Sequence, residues 1–141
     1  MENFMSEHDC PCGQGNYAEC CQPLHLGQAK AQTAAQLMRS RYSAFAKHEI
    51  DYIVKTTAIG QQQFLDQVAI ADWSQSNQWL KLEVIQAKEK IDKNHAQVEF
   101  KAYYHDGKQA QVHHEVSHFV QQDGFSFLAH QVYIDVGTIL C

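Results

Sequence analysis

The first 23 residues of this 141-residue chain differ sharply from the rest in cysteine and proline content. They contain both prolines, Pro11 and Pro23, and the rest of the chain contains none. They also contain four of the five cysteines: Cys10, Cys12, Cys20 and Cys21. Because proline interrupts helices and inner strands, only the later part of the chain can form long uninterrupted elements. The sequence therefore predicts a small loop-rich knuckle over residues 1–28, followed by one domain over residues 29–141.

The composition is that of a folded globular protein, with 45% hydrophobic and 19% charged residues. The net charge of −5 disfavours nucleic acid as a partner, because binding to the phosphate backbone depends on cationic side chains. We find neither the run of about 20 apolar residues that a membrane helix needs nor an apolar segment after Met1 that would indicate a signal peptide. We therefore expect a cytoplasmic protein that does not bind membranes.

Hydrophobic periodicity separates a helical part from a strand part. Apolar residues at helical spacing predict three helices, at about 34–47, 49–58 and 61–73. Thr33 and Gln36 form a capping-box pattern at the start of the first helix. Period-two alternation predicts strands at 79–86, 96–105, 110–121 and 125–135. Asp-Gly pairs at 106–107 and 123–124 indicate turns between the last three strands. Helices followed by strands predict an α+β fold, with three helices packed on a curved antiparallel sheet.

The four clustered cysteines are typical of a zinc site, because zinc takes four ligands at tetrahedral corners, with sulfur about 2.3 Å from the metal. A Cys-x-Cys pair supplies two ligands from one turn, and Gly13 and Gly15 let the chain reverse before the adjacent pair closes the shell. A segment this short has almost no core, so metal ligation would be what orders it. The predicted zinc ligands are Cys10, Cys12, Cys20 and Cys21.

Three other interpretations of the cluster stay open, namely disulfides, a redox or nucleophilic cysteine, and unliganded thiols. Nothing in the sequence indicates an oxidising compartment, and a bridge between the adjacent Cys20 and Cys21 would be strained. A redox site needs fewer than four thiols. His25 is an alternative fourth ligand if one cysteine does not bind, and Cys141 is interpreted as a frayed terminal thiol.

The pattern Cys-Pro-Cys-Gly-x-Gly-x-Tyr-x-x-Cys-Cys over residues 10–21 resembles the SEC-C motif, a zinc-binding element of the SecA translocation ATPase and of many small bacterial proteins. Later segments resemble the YchJ family: Leu37-Met-Arg-Ser-Arg-Tyr-Ser-Ala-Phe45, Asp51-Tyr-Ile-Val-Lys-Thr56, Trp79-Leu80 and Glu115-x-Ser117-x-Phe119. The resemblance implies a SEC-C zinc motif followed by a cone-shaped α+β domain similar to nuclear transport factor two and to cystatins.

The chain departs from the usual SEC-C pattern in two ways. The segment between Cys12 and Cys20 is one residue shorter than usual, which changes the loop but not the number of ligands. Gln14, Asn16 and Ala18 stand where lysines usually surround the tyrosine. A role that depends on a basic knuckle is therefore weakened.

Arg39 and Arg41 lie on the first predicted helix, whose apolar residues are expected to face the sheet: Leu37, Met38, Tyr42 and Phe45. Residues two apart on a helix point about 200° away from each other. We therefore expect one arginine to face solvent and the other to lie at the edge of the core beside an acidic partner. Arg41 is the predicted inward residue, because it lies four residues from Leu37 and from Phe45.

The segment 113–118 holds the densest group of histidines. His114 and His118 share a strand face about 13 Å apart, too far to bind one metal directly. His113, Glu115 and Ser117 share the other face, where a metal would need further ligands from another strand. We therefore favour histidines that are solvated or form cross-strand hydrogen bonds.

Five polar residues are expected to converge if the sheet curls into a cone: Tyr103, His105, Glu115, Tyr133 and Asp135. Folds of this shape often bind small ligands in that space, and this expectation rests on the analogy alone.

Two functions follow. The favoured one is a zinc-stabilised, non-catalytic binding or adaptor protein, because a closed four-thiol shell leaves no open coordination position. The knuckle would contact a protein partner, and the α+β domain would supply a second surface or form a homodimer. The alternative is an enzyme or small-ligand-binding protein that uses the interior of the cone. Ionisable groups in a deep pocket would favour the alternative. An interior filled by aromatic residues would favour the binding protein: Phe100, Tyr104, Phe119 and Phe127.

Overall fold

The computed structural model describes residues 8–121 with their side chains, and the backbone of residue 122 and of residues 126–135. A single 3₁₀ turn, Tyr17–Glu19, and the short helix α1, Gln22–His25, follow the cysteine turn. The main helices are α2 (Ala34–Lys47), α3 (Ile50–Lys55) and α4 (Gln67–Ser76), with a 3₁₀ helix, Ile59–Phe64, between the last two.

The strands form one antiparallel meander in the order β1-β2-β3-β4. Their bounds are β1 Gln78–Asp92, β2 His95–His105, β3 Ala110–Gln122 and β4 Ser126–Asp135. The pairing of β1 with β2 shifts register at three places along β1. Such irregularities bend a strand and increase its twist, which curves the sheet. The structure confirms the predicted class, with helices packed on a curved antiparallel sheet.

The helical part differs from the sequence prediction at two places. The predicted helix 49–58 is the shorter α3, and the predicted helix 61–73 is divided into the 3₁₀ helix and α4. The division occurs at Asp66, which has an extended backbone and is the N-terminal cap of α4. Its carboxylate accepts a hydrogen bond from the Ala69 amide at 3.0 Å. A capping residue in this conformation starts a new helix rather than continuing the old one. Within the ranges that the structure describes, no helix has the length and apolar character needed to cross a bilayer.

The start of α2 is held from three sides. The Thr33 hydroxyl accepts from the Gln36 amide at 3.0 Å, as the capping-box pattern predicts. The Gln36 side chain instead accepts from the Gln32 amide at 2.6 Å, one residue earlier than predicted. The Glu89 carboxylate, from β1, accepts from the first two amides of α2 at 2.7 and 3.0 Å. A carboxylate at a helix N-terminus accepts hydrogen bonds from free amides and interacts favourably with the positive end of the helix dipole. Glu89 therefore connects α2 to the sheet.

We expect Glu89→Ala to lower the free energy of unfolding by about 1–2 kcal/mol, because two amides at the start of α2 lose their acceptor. Glu83→Ala is the matched control on the same strand, since Glu83 is exposed and accepts from the Tyr103 hydroxyl rather than from helix amides. The control should change stability by less than about 0.5 kcal/mol. Urea denaturation measures both, and equal losses would contradict the capping role.

The core has two adjoining parts. One lies between α2 and the sheet, where alternate residues of β2 are buried. The other lies among the helices: Leu24, Ala44, Phe45, Tyr52, Ile53 and Ile70. The predicted apolar stripe of α2 therefore faces inward, with Leu37, Met38 and Tyr42 in the first part and Phe45 in the second. Leu24 belongs to α1, so the knuckle contributes a side chain to the core of the larger domain.

Candidate metal centre

The first two cysteines lie on a tight reversal of the chain. The Cys10 amide donates to the Gly15 carbonyl at 2.7 Å, and the Gly13 amide donates to the Cys10 carbonyl at 3.0 Å. Gly13 and Gly15 have φ angles of 88° and 120°, in the region that favours glycine. These two glycines therefore allow the turn that carries Cys10 and Cys12.

The other two cysteines lie where the 3₁₀ turn meets α1. The Cys20 amide closes the turn by donating to the Tyr17 carbonyl at 3.1 Å, and Cys21 is the N-terminal cap of α1. Pro23 favours a helix start here, because its fixed φ suits the first turn. This junction places Cys20 and Cys21 next to the turn that carries Cys10 and Cys12, so that all four sulfur atoms lie within 4.8 Å of one another.

The sulfur–sulfur distances fit a tetrahedral metal centre. Cys12 Sγ lies 3.5 Å from Cys20 Sγ, and Cys20 Sγ lies 3.9 Å from Cys21 Sγ. Four sulfurs at about 2.3 Å from a central ion would be about 3.8 Å apart. All four cysteines are free thiols in the structure. The donor set is therefore complete for one ion held by thiolates alone.

Ionisation of these thiols is strongly interdependent. Hydrogen bonds from Cys12 and Cys21 hold the pKa of Cys10 far below its ordinary value. The hydrogen bond to Cys10 raises the pKa of Cys12, and burial raises the pKa of Cys20 to about 12. Forming one thiolate thus makes the next more costly, because negative charges crowd into a small, dry volume. A bound cation would remove this repulsion and stabilise all four thiolates together.

Helix α2 packs against the cysteine cluster and contacts it through two polar side chains. The Ser43 hydroxyl lies 3.3 Å from Cys10 Sγ, and the Arg39 guanidinium donates to the Cys12 carbonyl at 3.3 Å. Contacts of this kind orient ligands and hold a metal site in one geometry. Arg39 is therefore not the solvent-facing residue that the helical spacing predicts, since it binds the knuckle.

His25 lies outside the group of four sulfur atoms and joins the knuckle to the core. Its Nε2 donates to the Ser40 carbonyl at 2.8 Å, which leaves Nδ1 to accept from the Tyr17 hydroxyl at 2.6 Å. Burial lowers the pKa of His25 and favours this neutral form. Both ring nitrogens are engaged, so the structure gives His25 a docking role in place of the alternative role as a fourth ligand.

Arg41 points toward α3, on the other side of α2 from the knuckle. Its guanidinium donates to the Ile53 carbonyl at 2.9 Å and to the Thr56 hydroxyl at 2.7 Å. A cation at the C-terminal end of a helix satisfies free carbonyls and complements the dipole. The sequence predicts that Arg41 faces inward and binds an acidic partner. The structure has Arg41 facing inward, but these contacts are with the last turn of α3 and were not predicted.

We expect Arg41→Gln to lower the free energy of unfolding by about 1–3 kcal/mol, because buried acceptors at the end of α3 lose a charged donor. Arg39→Gln should change the unfolding of the core by less than about 0.5 kcal/mol. Its effect should fall on the knuckle, where bound metal should be released to a chelator faster than from the wild type. Urea denaturation and chelator competition separate the two variants, and identical behaviour in both assays would contradict these assignments.

The residues expected to converge inside a cone are divided between the two faces of the sheet. Phe100 pairs with Glu115 and Ala102 pairs with His113, so both polar residues lie on the helix-facing side. Tyr103 lies on the other side and donates to Glu83 at 2.8 Å. The predicted convergence of Tyr103 and His105 with Glu115 is therefore wrong, because these β2 residues alternate out of phase with the buried ones. The side chains of Tyr133 and Asp135 lie outside the described residues.

The helix-facing side of the sheet, which we call the inner face, carries a small polar cluster surrounded by aromatic side chains. His113 is buried, and its Nε2 lies 2.7 Å from a Glu115 oxygen. The Ser117 hydroxyl donates to the other oxygen of Glu115. His113 Nδ1 is buried without a hydrogen-bond partner in the described part of the chain. Phe100, Tyr104 and Phe119 are buried on this face, while the Phe127 side chain and Cys141 lie outside the described residues.

The remaining histidines of this segment form cross-strand contacts on the opposite face. His114 Nε2 lies 2.7 Å from a Glu99 oxygen, and the Gln97 amide nitrogen lies 3.4 Å from His118 Nε2. These contacts agree with the interpretation favoured from the sequence. Within residues 8–121, the four cysteines are the group of potential ligands close enough together to hold a metal.

Comparison with known proteins gives a consistent family. The model described as "YchJ, middle NTF2-like domain" matches residues 33–130. A UPF0225 protein of Actinobacillus succinogenes is 42% identical over 116 residues, which cover 82% of this chain and 75% of the relative. A UPF0225 protein of Haemophilus influenzae is 44% identical over 122 residues, 86% of this chain and 75% of the relative.

Two solved structures are similar over most of their length. The crystal structure of a SEC-C motif containing protein from Psychrobacter arcticus has a TM-score of 0.82 and 38% identity, covering 96% of this chain and 86% of that one. The solution structure of a SEC-C motif containing protein from Rhodopseudomonas palustris has a TM-score of 0.81 and 34% identity, covering 92% and 99%. In this chain the cysteine cluster precedes a domain that matches the NTF2-like family model, and the relatives are similar over most of the chain. The chain therefore belongs to the YchJ-like family of UPF0225 proteins.

Proposed function

We propose that this protein is a zinc-stabilised, non-catalytic binding or adaptor protein. The knuckle, residues 1–28, would be a metal-ordered module, and residues 29–141 would be the scaffold that carries it. The observation that supports this most strongly is the convergence of four cysteine sulfurs within 4.8 Å. Four protein ligands saturate a tetrahedral ion, so no position would remain for a substrate or an activated water.

Zinc is the proposed ion because of the chemistry of the donors. Four thiolates in a tetrahedral arrangement suit zinc, whereas magnesium and calcium require oxygen ligands. The similarity to two SEC-C motif containing proteins supports metal binding at this cluster. Once bound, the ion would neutralise the thiolates and fix the reversal and α1 in one arrangement.

The proposed partner is a protein that contacts the knuckle. A groove of about 350 Å³ lies between the cysteine cluster and the start of α2. Its sides include the polar Gln14, Glu19 and Gln36 together with Arg39, which suits hydrogen bonding to a polypeptide. The position of the groove beside the sulfurs would make binding depend on the metal. Self-association through the α+β domain is the other form of partner in this proposal.

The first experiment measures metal content and partner binding together. Protein purified under reducing conditions without chelator should contain one zinc per chain, and the variant Cys20→Ser/Cys21→Ser should contain none. In pull-downs, a protein captured by the wild type should be lost with the variant and should rebind as a purified component only to metal-loaded wild type. Absence of zinc, or equal capture by the folded variant, would contradict the proposal.

The buried polar cluster on the inner face supports a second candidate function. His113 is held by Glu115, and its Nδ1, which has no hydrogen-bond partner among residues 8–121, can accept a hydrogen bond from a small ligand. Such a ligand should shift the His113 ring signals in nitrogen-15 NMR, whereas the exposed His95 ring should not respond. A small-molecule screen that moves neither ring would favour the adaptor function alone.

A further inference from the structure

The four sulfurs of the metal centre differ in their access to solvent. Cys10, Cys12 and Cys21 are at most 2% exposed, whereas Cys20 is only half-buried. Cys12, Cys20 and Cys21 all line the groove beside α2, and Cys20 is the most exposed of the three, so its sulfur is the one that a small molecule in the groove reaches most readily. Oxidation of cysteine follows thiolate character and exposure. The centre is therefore accessible mainly at one sulfur.

We propose that Cys20 is a modification site at which a hydroperoxide oxidises the metal centre, and that Cys12 completes the reaction by forming a disulfide with it. The proposal rests on the proposed function, because it assumes that the four thiols are held as metal-bound thiolates.

The chemistry is a two-electron oxidation in two steps. The Cys20 thiolate attacks one oxygen of hydrogen peroxide, the O–O bond breaks, and the departing hydroxide takes a proton from solvent and leaves as water. From an alkyl hydroperoxide the leaving group is an alkoxide, which takes a proton and leaves as an alcohol. Cys20 is now a sulfenic acid. The Cys12 thiolate then attacks the Cys20 sulfur, the S–O bond breaks, and the second hydroxide leaves as water after protonation. The two sulfurs supply the two electrons that reduce the peroxide.

The positions of the sulfurs select Cys12 as the second partner. Cys12 Sγ lies 3.5 Å from Cys20 Sγ, so the two sulfurs need to approach by only about 1.5 Å to reach disulfide bonding distance. Cys21 Sγ is farther away, at 3.9 Å, and is carried by the adjacent residue. A disulfide between neighbours in sequence would distort the backbone at the cap of α1.

The consequence for the knuckle follows from the ligand count. A Cys12–Cys20 disulfide removes two of the four thiolates, and Cys10 and Cys21 alone would not retain the ion. The same change acts on the turn whose Cys12 carbonyl accepts from Arg39. Oxidation at one accessible sulfur would therefore release the metal and loosen the knuckle from α2, which converts an oxidant signal into loss of the proposed binding surface.

The test uses the full chain with Cys141→Ser in every sample, so that the terminal thiol does not contribute. Metal content is measured first by elemental analysis, and the protein is then treated with increasing hydrogen peroxide. We expect zinc release in step with a Cys12–Cys20 disulfide, identified by peptide mass spectrometry. A dimedone adduct, which marks sulfenic acid, should appear on Cys20 before any other cysteine.

Two histidine variants keep four potential ligands and separate the two steps. Cys20→His should slow peroxide-driven zinc release about tenfold or more, because the accessible thiolate is gone. Cys12→His is the matched control, in which Cys20 should still be oxidised within about twofold of the wild-type rate but should accumulate as the dimedone adduct. If either variant fails to bind zinc, mapping of the wild-type product still decides the sites.

The outcomes distinguish this proposal from the one on which it rests. Protein that contains no zinc before peroxide is added would contradict the proposed metal centre. Zinc-loaded protein that is first oxidised at Cys10 or Cys21, or that forms a different disulfide, would overturn the assignment of Cys20 and Cys12. Zinc release at an unchanged rate in a zinc-loaded Cys20→His variant would also overturn it.

Discussion

Removal of the proposed zinc ion by a chelator is expected to unfold the cysteine turn while the helices and sheet of residues 29–141 stay folded. The turn is held by few backbone hydrogen bonds, and its buried side chains are mainly the cysteines themselves. The larger domain has its own core between α2 and the sheet. Binding free energies of structural zinc are about 10–16 kcal/mol in small zinc-binding peptides, so its loss exceeds what this turn can replace.

Amide hydrogen exchange gives the measurement residue by residue. The Cys10 and Tyr17 amides, which donate to Gly15 and His8, should lose protection by about a hundredfold or more after chelation. Amides of β2, paired on both sides, should change by less than about twofold. Re-addition of zinc should restore the first set. Loss of protection throughout β2 would show that the knuckle and the domain unfold as one unit.

A limited response at the border of the knuckle is expected in the same experiment. Leu24 packs in the core among the helices, and His25 donates to the Ser40 carbonyl. These two residues of α1 should therefore keep part of their protection when the cysteine turn loses all of it. The segment whose order depends on the metal would then end just before Leu24, a few residues earlier than residue 28, the end of the knuckle predicted from the sequence.

The cysteine cluster could be predicted from the sequence because its information is local. All four sulfurs come from twelve consecutive residues, and the glycines that permit the reversal stand between them. The main helix and the strands were predictable for a related reason, since periodicity of three to four or of two residues is a short-range pattern. Even there, the single residue Asp66 divided a predicted helix, because capping competes with hydrophobic periodicity.

The contacts that position the site could not be predicted, because they join residues far apart in sequence. Glu89 reaches the start of α2 from β1, and Arg39 reaches the Cys12 carbonyl across 27 residues. Alternation within β3 placed His113 and Glu115 on one strand face, but only the pairing register of β2 and β3, which sets Phe100 opposite Glu115, shows that this face points toward the helices. The same register separated Tyr103 from Glu115, although alternation within each strand had been assigned correctly.

Phe45→Ala is expected to cost about 3–5 kcal/mol of the free energy of unfolding, because it opens a cavity where α2 meets the other helices and β1. Phe45 is 8% exposed, and its ring lies 5.7 Å from that of Trp79. Trp79 is held in place by donating through Nε1 to the Ser74 carbonyl at 3.0 Å, so it cannot easily move to fill the space. A rigid surround makes the cost of a large-to-small substitution high, since the cavity does not collapse.

Phe64→Ala is the matched control, because it deletes the same atoms from a side chain that is 78% exposed. It should change the free energy of unfolding by less than about 0.5 kcal/mol. Both variants are compared with the wild type by urea denaturation at saturating zinc, so that metal loss does not contribute to the difference. A cost below about 1 kcal/mol for Phe45→Ala would show that the helices repack around the missing ring. The stripe of α2 that stabilises the fold would then end at Tyr42, whose ring lies 5.9 Å from that of Trp79, and the contact between Phe45 and Trp79 would not be part of what holds the helices on the sheet.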